Sequence, residues 1–539
     1  RGLSMKEQST TRGFAVLSAA GFLVKILSVL YIPILTRILG DQGYGIYSKI
    51  YEVFIFIYAV SNAGMQPAIC KVISEFSALG RERDALRAFR LARKLLLAVG
   101  AIFTILLIAA AKPLAYMVGS DISYGLIAVA PTILISSVLV SYRGYLNGKN
   151  QMNSLALSQV IEQLTNVFIS LLFAYLLVKD SLALGSAGGA SGTSVGALIG
   201  CIYLIVVFER RNFKGEIKKQ PIIENRISNK TIVKKIIQYG LPITLSAGLS
   251  NFGALVDMFN VSSRLMYIGY NQIDADILYG ILSKYKNLMY VPLIFITALG
   301  AAVLPAISKA VVLKDRKNVR GKINFALRLT YGITIPAAFG LSLLNKYIYL
   351  GFYGNTNGSS LMIFGAFVVI LMGLSQIETT ILQGLGKFRF VLFSLFLGIV
   401  GKISTNYILI GIKSINIYGA VAGGFVCFMI PVIMNHRKLE KTIRMRIHIV
   451  RLALKPLLAS VIMTLCLYGT DKLILNVLPS NLASDRIIIT LMTVIYVLFG
   501  GFVYLYMMIL IKGIRRRDIE GLSPKILKIL PGFMKRKLR

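Results

Sequence analysis

A succession of apolar runs, each about twenty residues long, constrains this chain more than anything else in it. As a helix rising about 1.5 Å per residue, a run of that length matches the roughly 30 Å hydrocarbon core of a bilayer. Fourteen such runs are predicted, at 14–39, 44–70, 95–118, 124–146, 154–178, 185–208, 236–262, 279–307, 329–350, 360–382, 390–411, 415–434, 452–469 and 487–511. The loops between them are too short for a separate soluble domain. The expected fold is therefore an all-α polytopic membrane protein with 14 transmembrane helices. A composition 56% hydrophobic, with mean hydropathy +0.72, agrees. The first run is too long, and too soon followed by another, for a cleaved signal peptide. Met5 is expected to be the native start, with Arg1 to Ser4 as a cloning remnant before it.

The net charge of +38 suggests nucleic acid until its distribution is considered. With the N-terminus inside, 47 of the 60 Lys and Arg fall in cytoplasmic segments and eight in outer-facing segments or span ends. Five, Lys25, Lys49, Lys284, Lys286 and Lys402, lie inside spans. This bias predicts a multi-pass protein of a bacterial cytoplasmic membrane with both termini cytoplasmic. The basic loops would face anionic membrane lipids, at about 1 kcal/mol per residue near the surface, and no nucleic-acid partner is expected. The tail Leu522 to Arg539 interleaves apolar residues with Lys and Arg, as a surface-bound helix or a disordered basic segment would. Cys70, Cys201, Cys427 and Cys466 form no CxxC pair and are expected to pack as small hydrophobes. Neither a disulfide framework nor a metal site is predicted.

The chain also repeats. YGIYSKIY at 44–51 returns as YGILSKYK at 279–286. QPAICKV at 66–72 pairs with LPAISKA at 304–310, AFRLARK at 88–94 with ALRLTYG at 326–332, and Gly148 and Lys149 of LNGKNQ at 146–151 with Gly386 and Lys387 of LGKFRF at 385–390, three pairs at one offset of 238 residues. GTSVGALIG at 192–200 resembles GAVAGGFVC at 419–427. Units of six spans keep the same orientation, so two six-helix lobes related by an axis along the membrane normal are expected. The predicted organisation is an N-terminal lobe at 1–208, a basic linker at 209–235, a C-terminal lobe at 236–435, two extra helices at 436–512 and a basic tail at 513–539.

Charges inside the spans are the candidate site, because each costs about 2.5–3.5 kcal/mol at a bilayer centre and normally faces a bundle interior or watery cavity. The cations are Lys25, Arg37, Lys49, Arg264, Lys284 and Lys286. Snorkelling to the interface is the competing reading, strongest for Lys49 and Lys286 near span ends. Glu162, Asp257 and Glu378 are candidate coupling-ion acids. Glu52, one turn after Lys49, is expected to neutralise it. Lys402 and Asn406 form a polar stripe four residues apart. Pro33, Pro131, Pro242, Pro292 and Pro336 fall within spans, and Pro242 and Pro292 are hinge candidates.

The cationic first helix ending TRILG at 36–40, the PAI-then-basic loop after the second span and the 6+6+2 pattern resemble the multidrug/oligosaccharidyl-lipid/polysaccharide exporter superfamily. The closest resemblance is to its polysaccharide-biosynthesis branch, which holds the stage V sporulation B proteins and the lipid II flippases of Gram-positive bacteria. The resemblance covers essentially the whole chain. It implies alternating-access movement of an undecaprenyl-pyrophosphate-linked sugar from the inner to the outer leaflet. Arg37 matches the family's Arg-x-x-Gly, Lys25 a cation on the same helix, and Lys49 and Lys284 take Lys where that branch carries Arg. No cofactor is implied beyond coupling to Na⁺, H⁺ or the membrane potential, and a monomer is expected.

Two alternatives stand beside it. A Na⁺- or H⁺-coupled multidrug exporter keeps the fold but wants an apolar or acidic cavity. A membrane glycosyltransferase or polymerase would use Asp274 and Asp276, an acidic pair expected in a short outer loop. Its large catalytic outer loop is missing, and His436 and His448 fall in one predicted cytoplasmic loop without a partner cluster. No G-x-x-x-x-G-K-[ST] occurs either. The chain reads as a transporter and not as an enzyme.

Overall fold

The computed structural model of the chain describes residues 10–211, 227–477 and 486–513. The basic tail at 522–539 and the linker around Pro221 lie outside the described residues. Among the described residues the regular structure is helical, as the apolar periodicity predicts.

The helices are α1 (Thr10–Asn62), α2 (Met65–Ala78), α3 (Glu82–Val118), α4 (Ser123–Gly148), α5 (Met152–Leu177), α6 (Leu182–Arg210), α7 (Asn229–Tyr267) and α8 (Gln272–Val312). They continue as α9 (Arg316–Leu343), α10 (Asn345–Tyr353), α11 (Ser359–Gly365), α12 (Val368–Gly384), α13 (Phe388–Ile410), α14 (Tyr418–Ile443), α15 (Ile449–Val477) and α16 (Arg486–Leu510). Polar side chains start several of them. Ser181 Oγ accepts the Leu184 N–H at 3.1 Å, Ser228 Oγ the Thr231 N–H at 3.2 Å, and Asp315 Oδ1 the Asn318 N–H at 3.0 Å.

Eleven helices among the described residues are long and apolar enough to cross a membrane, or up to twelve if the bent pair α11–α12, 56° apart, is one span. That count stops short of fourteen. Val16–Ala78 enters it as a single 63-residue stretch, roughly 90 Å of helix and enough for two passes. Besides the turn at Ala63 and Gly64 between α1 and α2, it breaks within α1 at Gly40, with φ 68° and ψ −178°, where the sequence leads one to expect a turn. The second shortfall is α7, whose apolar run is diluted by Ser246, Ser250, Asn251, Asp257 and Asn260.

The chain divides into two compact units, residues 1–280 and 281–539. Their boundary differs from the lobes drawn from the repeat, because α7 packs with α1, α2 and α3 inside unit 1. Gly64 shows how tightly: a Cβ there would collide with the Gly240 carbonyl, and its N–H donates to Thr244 Oγ1 at 3.2 Å. Unit 1 is centred on a buried cluster from α2, α3, α4, α6 and α7. Phe89, Tyr142, Tyr145 and Phe208 stand there with ring centroids 5.0–5.4 Å apart.

The glycine-rich repeat segments do equivalent work in both units. Gly188 and Gly196 bring α6 against α5, their ideal Cβ positions 2.7 Å from the Phe173 carbonyl and 2.6 Å from the Glu162 oxygen. Gly419 brings α14 against α13 likewise, 2.7 Å from the Ile410 nitrogen. In lipid no hydrophobic force draws helices together, so small residues that allow backbone contact take over. Pro33, Pro131, Pro242 and Pro336 sit inside helices, and the non-helical residue within α1 is Gly40 instead.

Candidate functional site

The first arm of α1 carries Lys25 and Arg37, and both are exposed. Lys25 stands at the middle of that arm among the exposed apolar residues Phe22, Leu23 and Ile26. No ion pair or hydrogen bond to Lys25 is found among the described residues.

The second arm behaves oppositely. Tyr44, Tyr47, Tyr51, Phe54 and Tyr58 form an aromatic ladder with centroids 5.6–6.0 Å apart, and the Tyr47 hydroxyl bonds that of Tyr31. Lys49 is wholly buried. It donates to Asp276 Oδ1 at 2.6 Å and lies 5.3 Å from the Tyr279 ring centroid. Burial excludes the snorkelling reading for Lys49. Asp276 is thus the direct partner of Lys49, with the Glu52 carboxylate also acting on it from one turn away while accepting from the Tyr279 hydroxyl. Asp276 belongs to helix α8 rather than a loop, and also accepts from Gln272 Nε2 at 3.2 Å. Asp274, the other half of the supposed acidic pair, is exposed in the first turn. Asp257 of α7 is buried, with its charge felt at Tyr279.

Two glycines permit this approach. A Cβ on Gly45 would overlap the Asp276 carbonyl oxygen, and a Cβ on Gly280 would overlap that of Asp41. The reciprocity reveals a longer repeat than YGI-x-SK: Asp41 and Asp276 each precede their lysine by eight residues, in D-x-x-Y-G-I-x-S-K. Extending the echo three residues toward the N-terminus finds Asp276.

Further into unit 1, Arg143 of α4 is buried and binds Glu162 of α5 at 2.5 Å. Glu162, a candidate coupling acid by position, is therefore the counter-ion of a buried arginine. Ser158 Oγ accepts from Arg143 Nε at 3.3 Å. Arg264 is half-buried, 4.3 Å from the Tyr267 ring centroid.

In unit 2, Lys284 is also wholly buried. It donates to Asn355 Oδ1 at 3.1 Å and stands 5.3 Å from the Tyr353 ring. Lys286 is half-buried. Lys402 and Asn406 are both buried on α13, where Gly423 of α14 makes room for the Asn406 amide.

Glu378 of α12 is 1% exposed, and its Oε1 lies 2.8 Å from His436 Nδ1. Its Oε2 is buried with no hydrogen-bond partner among the described residues. His436 is thus part of α14, not of a loop, and it has a partner cluster: Glu378, with Glu440 Oε1 3.9 Å from its Nε2. Neighbouring Asn435 accepts from Ser394 at 2.8 Å and donates to Thr379 at 3.3 Å. No group of His, Cys, Asp and Glu able to hold a metal is found among the described residues.

The sequence profile of a family described as polysaccharide biosynthesis protein matches residues 10–311. An uncharacterised membrane protein of Bacillus subtilis, YabM, is 27% identical over 432 residues, covering 78% of this chain and 80% of that protein. The lipid II flippase MurJ of the same organism is 24% identical over 426 residues, covering 74% and 77%. Among solved structures, a lipid II flippase MurJ in an inward closed conformation aligns with a TM-score of 0.65 at 17% identity, over 92% of this chain and 98% of that one. An inward-facing multidrug resistance MATE transporter of the MOP superfamily aligns at 0.63 and 16%, over 78% and 96%. At such identities the structural likeness establishes the fold.

Proposed function

The chain belongs to the polysaccharide biosynthesis protein family, and on that premise we propose that it is a flippase for an undecaprenyl-pyrophosphate-linked sugar precursor. The cargo, a lipid II or polysaccharide unit, would cross a bacterial cytoplasmic membrane by alternating access, with both termini of the chain in the cytoplasm. The observation that carries the reading is Lys25: a cation at mid-helix, exposed, with no protein counter-charge found among the described residues. A charge so placed is costly unless water or an anion meets it. A pyrophosphate supplies that anion, and Arg37 on the same arm adds a planar fork that binds phosphate oxygens in pairs. Lys49 and Lys284, buried and bonded to protein groups, are holding elements in this conformation and not part of the clamp.

Coupling is assigned to Glu378. Its unbonded buried oxygen, beside an imidazole, suits a proton better than Na⁺, which takes sets of oxygen ligands. Tyr331 of α9 and Glu440 of α14 complete its titratable surroundings.

The test is movement of a fluorescent undecaprenyl-pyrophosphate-linked sugar across proteoliposomes. Wild type should flip it, while Lys25→Ala and Arg37→Ala should fold normally and lose most of the rate. Export of an organic cation with the lipid left in place would instead make the protein a drug exporter of the same fold. Formation of a glycosidic bond dependent on Asp274 would make it a transferase.

A further inference from the structure

Unit 2 holds a cavity of about 540 Å³ beside the start of α15. Arg328 and Phe325 of α9, Arg446 and His448 of the segment after α14, and Arg451 and Leu452 of α15 line it. Three guanidiniums and an imidazole thus surround one space, and no Asp or Glu is among its described lining residues. The first turn of α15 carries no acid either.

The cavity wall is fixed in place. Arg320 of α9 donates to the Ile443 carbonyl at 3.1 Å and to the Arg444 carbonyl at 2.9 Å. Glu440 Oε1 accepts the Ile447 N–H at 2.7 Å. Arg444 itself takes a positive φ of 51°, which turns the chain out of α14. The backbone carrying Arg446 and His448 is therefore tied to α9 on one side and α14 on the other, rather than left as a solvated basic loop.

We propose that this cavity binds the phosphate of an anionic phospholipid, with the acyl chains lying along α15. Arginine forks match phosphate oxygens, and basic pockets between membrane helices take lipid head groups. Two observations favour a lipid over free phosphate. Phe325 and Leu452 make part of the lining apolar. Beyond them α15, a membrane-crossing helix, presents Leu454, Leu457 and Leu458 at 41–49% exposure. The site is separate from the α1 clamp and does not depend on the flippase reading.

The experiment melts the full-length protein in neutral detergent, following exposure of buried Cys201 and Cys427 to a thiol-reactive dye. Dioctanoyl phosphatidylglycerol, dioctanoyl phosphatidylcholine and inorganic phosphate are titrated separately. Phosphatidylglycerol should raise the melting midpoint saturably, and phosphatidylcholine should not. Arg446→Gln/Arg451→Gln should raise the half-saturating concentration about tenfold. Lys230→Gln/Lys234→Gln removes the same charge from exposed positions and should leave it unchanged. An equal loss in both double variants, or equal protection by phosphatidylcholine, overturns the site. Equal protection by inorganic phosphate at the same concentration would make it a free-anion site and overturn the lipid assignment.

Discussion

In unit 1 the Glu162 carboxylate is held 2.5 Å from the Arg143 guanidinium; in unit 2 Glu378 has His436 at 2.8 Å, and its second oxygen is buried with no hydrogen-bond partner among the described residues. Both acids were equal candidates by position alone. Arginine keeps its charge at any physiological pH, so the Arg143–Glu162 pair is a fixed brace between α4 and α5. Imidazole titrates near neutrality, so Glu378 and His436 can exchange a proton where Glu162 and Arg143 cannot. The Lys49–Asp276 pair sides with the brace, since neither partner is solvent-exposed enough to be replaced by water. On the proposed coupling role of Glu378, a membrane carboxylate couples or braces according to whether its partner can give up its charge.

The largest effect should come from breaking a brace. Lys49→Met leaves Asp276 buried and unbalanced, and should destabilise by about 3–5 kcal/mol in thermal unfolding. Lys49→Met/Asp276→Leu should recover most of that; no recovery would mean the pair is not what the lysine supports. Next is the responsive site. Glu378→Gln should cut gradient-driven flipping about 100-fold, roughly 2.7 kcal/mol, while melting close to wild type. His436→Gln should flatten the dependence of flipping on pH between about 5.5 and 8. Were Glu162→Gln to uncouple transport while Glu378→Gln did not, the comparison would be reversed. A smaller loss, about 1–3 kcal/mol, is expected for Gly280→Ala, whose Cβ must push aside the Asp41 carbonyl. The smallest belongs to Lys25→Met, which should change stability by no more than about 0.5 kcal/mol and act on transport alone.

The class of the protein was legible residue by residue. Runs such as 154–178 and 487–511 emerge as α5 and α16 with nearly the predicted ends, because hydropathy over one span is a local property. The resemblance at TRILG and the PAI loop pointed to the polysaccharide-biosynthesis branch that the family match then showed. The exact span count was less legible, because α7 mixes polar residues into its apolar run. Individual partners were hardest. Helical spacing brought Glu52 within reach of Lys49, but the direct partner, Asp276, lies 227 positions away and shares no segment with it.

What the sequence determined by itself is the all-α membrane fold, the internal repeat and the roster of intramembrane charges, each carried by composition over a window or by an echo along the chain. Tertiary structure alone decided which charges are sealed and which are open: Asp276 reaches Lys49 across 227 positions, His436 reaches Glu378 across 58, and Lys25 is left exposed. The physical reason is that a buried charge is settled by whichever counter-group packing brings within about 3 Å, and packing across helices depends on glycine contacts and helix breaks that no single segment encodes.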